Sequence, residues 1–192
     1  VNEIFAAAVL EEARGGPALV FVQDYHFALL PRLLKQARPD LVVAQFWHIP
    51  WPNPETFRVC PWGKEILDGM LGNDLMSFHI QYHCNNFLET VDRTLECRID
   101  RERFAVERCG QTTHVRPHPI SVDPRLAAEY LGSDWFARSV RLRKELGLGY
   151  RPLLVGVDRV DYTKGIPERL LAVDRLLTDR PEWKGRFHFL QV

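Results

Sequence analysis

Apolar positions along the chain follow two rhythms. Residues 18–23, ALVFVQ, form a short continuous apolar run of the kind that buried parallel strands show. Phe27, Leu30, Leu33, Leu34 and Ala37 then recur at helical spacing, closing at Arg38 and Pro39, before residues 41–47 give a second apolar run. The pattern predicts a strand–helix–strand unit, with Pro31 placed in the first turn of the helix, where its missing N–H costs nothing.

The alternation continues. WGKEILDGML reads as a helix and DLMSF as a third strand; QYHCNNFLETVDRTL reads as a helix with Phe87, Leu88, Val91 and Leu95 inward. Residues 98–111 are charged and aperiodic and are expected to form a surface excursion. THVRPHPISVDP is a strand broken by prolines, and residues 126–146 carry helical spacing up to Gly147 and Gly149. The pattern then restarts. Residues 153–157 form a strand, Ile166-Pro167-Glu168 opens a helix with Leu170, Val173 and Leu177 on one face, and residues 187–192 begin another strand. A domain boundary is expected near 148–151, dividing residues 1–149 from 150–192. No internal repeat is visible. The fold class is α/β.

With 192 residues, 46% of them hydrophobic, the chain can bury a core. Lys and Arg number 25 against 25 Asp and Glu, with no block of like charge, which argues against a nucleic-acid groove or a polybasic membrane patch. A small-molecule partner is expected. No apolar stretch reaches the roughly 20 residues of a membrane span, and the start lacks the pattern of a signal peptide, so a cytoplasmic setting is expected. Cys60, Cys84, Cys97 and Cys109 show no CxxC spacing and read as reduced structural thiols. The first residue is Val and the last six, FHFLQV, read as mid-strand, so a fragment is expected.

Ligands of open α/β sheets bind outside the carboxyl ends of the strands, where loops and helix N-termini converge. Three polar clusters fall there: Asp24-Tyr25-His26, His48 with Pro50, Pro52 and Pro54, and residues 159–165, RVDYTKG. Arg159, Lys164 and the start of the helix gather two cations and free N–H groups, an anion site; the alternative is a solvated loop with Arg159 paired to Asp158 or Asp161. Asp24 could accept from substrate hydroxyls or cap the following helix. His48 could serve in chemistry or in hydrogen-bonded packing. His79 and His83 have the i, i+4 spacing of a metal pair but lack the Glu of HExxH and a third ligand, so no metal is expected.

QDYHFALLP, FWHIPWPNPETFRVCPW, LGNDLMSFHIQYHCNNFL, HPISVDP and VDRVDYTKGIPERLLA, in this order, resemble the retaining glycosyltransferases that make trehalose 6-phosphate from UDP-glucose and glucose 6-phosphate. The resemblance covers essentially the whole chain. It implies a GT-B architecture, two Rossmann-like domains facing across a cleft, with most of the acceptor-side domain and only the start of the nucleotide-sugar domain present here. It also implies that Asp24 contacts the sugars near the reacting centre, that His48 faces the transferred glucose, and that Arg159 and Lys164 grip the donor diphosphate. It implies UDP-glucose as donor substrate, no cofactor or metal, and compatibility with a homo-oligomer. The family commonly has His where Gln23 stands and Phe where Trp51 stands; the latter change is expected to alter pocket shape.

Three other readings stand beside this one. The same chemistry could serve another acceptor, as in glucosylglycerol-phosphate synthases. A homologue could bind sugar phosphates as a regulatory module without turnover. Composition and periodicity alone support only a generic nucleotide-binding α/β domain.

Overall fold

The computed structural model describes all 192 residues, which form two compact units, Val1–Ser121 and Val122–Val192. In the first unit the order is α1 (Asn2–Glu12), β1 (Leu19–Gln23), α2 (Leu30–Ala37), β2 (Val42–Phe46), α3 (Pro54–Phe57), α4 (Gly63–Met70), β3 (Leu75–Phe78), α5 (Gln81–Thr94), β4 (Arg98–Asp100), β5 (Ala105–Arg108) and β6 (Gln111–Pro117). The second unit holds α6 (Pro124–Leu131), α7 (Trp135–Glu145), β7 (Leu153–Gly156), α8 (Ile166–Asp179) and β8 (His188–Gln191).

Six strands form one sheet in the order β1-β2-β3-β6-β5-β4. β1, β2, β3 and β6 are parallel neighbours, while β4 and β5 pair antiparallel at the far edge. Of the apolar runs, β2 and β3 lie inside the sheet and β1 forms its edge, with Leu19 and Phe21 exposed. One core joins Trp51, Phe78 and Phe87 to Leu67, Met70 and Val91; the other joins Val22, Leu34, Leu41 and Val43.

Two sequence expectations fail here. Residues 98–111 are not an excursion but contain β4 and β5, whose Ala105 and Val106 are buried. Residues 126–146 are not one helix: Gly132, at φ 65°, separates α6 from α7. Pro31 does lie in the first turn of α2, whose preceding N–H, that of Leu29, is capped by Asn2 Oδ1 at 3.2 Å.

α4 and the turn after it lie directly on α2. A Cβ built on Gly72 would stand 2.3 Å from Arg32 N and 2.5 Å from its Cα, and one on Gly69 would stand 2.5 Å from Ala28 O. Backbone cannot retreat as a flexible side chain can. Gly72→Ala is therefore expected to lower unfolding stability by about 3 kcal/mol, the upper range for overpacking, as read from urea titration. A midpoint equal to wild type would show that the two segments do not touch.

In the second unit, β7 and β8 pair in parallel and no apolar side chain is fully buried. The glycine-bracketed stretch at 147–149 lies inside this unit, following α7. No helix in the chain is long and apolar enough to cross a membrane.

Candidate functional site

The register of the four parallel strands fixes what stands at their carboxyl ends. Gln23 pairs with Phe46, Phe46 with Ser77, and Ser77 with Arg116. The ladder runs on past the strand ends: Asp24 N donates to Phe46 O at 2.7 Å, Trp47 N to Ser77 O at 2.9 Å, and His118 N to Phe78 O at 2.7 Å. Asp24, His48, His79 and His118 are thereby aligned along one edge of the sheet.

Asp24 does not cap a helix. It precedes a 3-10 turn, Tyr25–Phe27, without a side-chain cap, and its Oδ1 instead accepts from His48 N at 3.2 Å. Its backbone is unusual for a residue with a Cβ, at φ 61° and ψ −168°. That region is occupied almost only by glycine and costs about 1–3 kcal/mol elsewhere. Residues held in such conformations concentrate where ligands are gripped.

His48 is half-buried. Its Nε2 lies 2.8 Å from Gln23 Oε1, its ring meets Phe46 at a centroid distance of 4.6 Å, and its carbonyl accepts from His79 Nε2 at 3.1 Å. His79 thus occupies one of the two lone pairs of that carbonyl. The prolines flank an anchor. Trp51 is 1% exposed, its indole N–H donates to Thr90 Oγ1 at 3.2 Å, and its carbonyl accepts from Asn86 Nδ2 at 3.3 Å. Trp51 therefore fills the core and does not shape a pocket; it fixes where the chain goes after His48.

His79 and His83 face backbone carbonyls, those of His48 and Trp51, at 3.1 and 3.3 Å. His118 Nδ1 lies 3.0 Å from Ser77 Oγ. No group of three or more His, Cys, Asp or Glu side chains gathers as a metal cage. All four cysteines are free; burial pushes the Cys84 thiol up to about 11, while Cys109 is exposed rather than structural.

In the second unit, the loop after β7 leads into a 3-10 turn, Tyr162–Lys164, and then to Gly165 in the left-handed conformation at φ 62°, which starts α8. Asp161 organises this turn by accepting from Thr163 N at 2.9 Å and from Thr163 Oγ1 at 2.8 Å. Those bonds, with Arg159 and Lys164 nearby, hold its carboxyl below the usual range. Asp158 is taken by Arg169 at 2.8 Å, so Arg159 pairs with Asp161, at 3.4 Å, as the loop reading named. The Arg159 side chain is 79% exposed, and an exposed pair is too weak to hold it against a diphosphate. Lys164 has no ion-pair partner. Two cations thus flank the N-terminus of a 14-residue helix.

Of the residues predicted from sequence, Asp24 and His48 come together in the first unit, and Arg159 and Lys164 lie together in the second. Sequence reasoning missed the supporting roles of His79, His118 and Gln23. Only the strand register shows the first two, although both follow strand-like runs.

The chain is similar to known proteins along its whole length. The family model for glycosyltransferase family 20 matches residues 1–192. A trehalose-6-phosphate synthase of Mycobacterium sp. strain JLS is 43% identical over 93% of this chain and 38% of its own length. An alpha,alpha-trehalose-phosphate synthase [UDP-forming] A of Dictyostelium discoideum is 38% identical over 100% of this chain and 26% of its own. The chain therefore spans between a quarter and two fifths of these relatives. The crystal structure of an alpha,alpha-trehalose-phosphate synthase (UDP-forming) from Burkholderia xenovorans in complex with glucose-6-phosphate superposes with a TM-score of 0.84 at 26% identity, covering 100% of this chain and 43% of that one. The α/β, Rossmann-like expectation holds, and the chain belongs to glycosyltransferase family 20.

Proposed function

We propose that the protein containing this chain transfers glucose from UDP-glucose to glucose 6-phosphate with retention, giving trehalose 6-phosphate and UDP. The observation that carries the reading is the Asp24–His48 pair, an aspartate of strained backbone whose carboxylate accepts from the backbone N–H of His48, just past the end of β2 on the sheet edge where α/β proteins bind ligands. The relatives' names support the donor and the product, and the neighbour solved with glucose-6-phosphate supports the acceptor.

In this reading Asp24 and His48 hold the sugar hydroxyls, and Arg159, Lys164 and the α8 N-terminus hold the diphosphate. The bond from glucose C1 to the phosphate oxygen breaks with oxocarbenium character as the acceptor hydroxyl forms the new bond on the same face. The acceptor's proton passes to the departing phosphate oxygen. No protein base is needed, and stabilising the negative charge on the leaving group is the main task of the side chains.

The test is direct. The full-length protein is supplied with UDP-glucose and, separately, glucose 6-phosphate or glycerol 3-phosphate, and released UDP is measured. Glucose 6-phosphate is expected to be preferred by tenfold or more in kcat/KM. Preference for glycerol 3-phosphate would assign the related synthase activity, and binding without UDP release would assign a regulatory homologue.

A further inference from the structure

Gln45 lies on β2, one residue before the end of the strand, and is completely buried. A buried amide is costly unless both of its ends are bonded. Its Nε2 donates to Asp24 O at 2.9 Å, and its Oε1 accepts from Asn73 Nδ2 at 2.8 Å. Asn73, equally buried, also donates from Nδ2 to Met70 O at 2.8 Å. The orientation of both amides follows: Asn73 Nδ2 meets two oxygens, so Gln45 must present oxygen to Asn73 and nitrogen to Asp24.

The bond lands on the one atom that reports the conformation of Asp24. The direction of a carbonyl is set by ψ, and the N–H of Asp24 is already fixed by Phe46 O at 2.7 Å. Fastening N–H and C=O together holds φ 61° and ψ −168°, a geometry that an aspartate leaves when released. The carboxylate moves with its backbone: Oδ1 is spent on His48 N, and Oδ2 has no protein partner.

We infer that Gln45 is a positioning residue, which with Asn73 forms a buried amide relay from the end of α4 to the Asp24 carbonyl and thereby aims the Asp24 carboxylate at the sugar. The inference rests on the proposed sugar-binding role of Asp24.

The test compares Gln45→Met, which keeps side-chain length without hydrogen bonds, with wild type in the full-length protein. Rates are measured with UDP-glucose and glucose 6-phosphate and corrected for folded fraction. We expect kcat to fall about tenfold while KM for UDP-glucose moves less than threefold. In an Asp24→Ala background the same change is expected to cost less than twofold, because no carboxylate remains to be aimed. A crystal structure of Gln45→Met is expected to show Asp24 at negative φ. Asp24 retained at positive φ, or additive losses in the double variant, overturns the inference. If Gln45→Met does not fold, Gln45→Asn, whose amide cannot span both partners, is read by the same criteria. Should wild type transfer no glucose at all, the functional reading fails, and the Asp24 conformation in Gln45→Met still decides whether Gln45 sets it.

Discussion

An Arg159→Ala variant of the full-length protein is expected to turn over about a hundredfold more slowly than wild type, a loss of about 3 kcal/mol in transition-state stabilisation. The guanidinium sits in a loop between β7 and the helix that starts after Gly165, mostly exposed and held only by Asp161 at 3.4 Å. Its removal leaves no buried group without a partner, so thermal unfolding should barely change. That combination, a large rate effect with an unchanged melting curve, is what a charge placed for the leaving diphosphate produces. Arg159→Lys keeps the charge but not the planar fork, and is expected to recover part of the loss. Near-normal turnover of Arg159→Ala would remove this residue from the mechanism.

The second large effect concerns Asp24, where activity and stability are expected to part. Both Asp24→Ala and Asp24→Gly lose the carboxylate, and both are expected to lose at least a hundredfold in kcat/KM. Their stabilities should differ. Only glycine takes φ 61° and ψ −168° without strain, so Asp24→Gly should be more stable than Asp24→Ala by about 1–2 kcal/mol in urea unfolding. In ordinary strand or helix geometry the order is the reverse, since glycine loses more chain entropy on folding. Equal stabilities, or a more stable alanine variant, would show that the backbone at 24 carries no strain.

Much of the first unit was legible because β1, β2 and β3 are continuous apolar runs, although only β3 is covered nearly throughout and Leu19, Phe21 and Val42 are exposed. β4 and β5 were not legible. They contribute only three and four residues, RID and AVER, in which charged residues outnumber the buried apolar ones, and the β5–β6 hairpin turns at Cys109 and Gly110, both at positive φ. The division of residues 126–146 was hidden for a related reason: one glycine in a helical rhythm can be tolerated, so it does not by itself mark a break. At the site, Asp24 and His48 could be named because they follow apolar runs. What holds them could not. The strain at Asp24 arises from bonds to Phe46, Gln45 and His48, more than twenty residues away, and no local pattern encodes it. Trp51 misled because an aromatic among prolines near a site reads as lining, whereas its indole N–H finds Thr90 inside the core.

The turnabout of strand direction at the β6–β5 pair sets a size limit. Carboxyl ends line the sheet margin without a break from β1 to β6; β5 then brings its amino end to that margin and separates β4 from the run. Three inter-strand spacings of about 4.8 Å make this strip about 14 Å wide. Topology, rather than any one side chain, therefore sets the width of this strip: enlarging it would require another parallel strand beside β6, which point substitutions cannot supply.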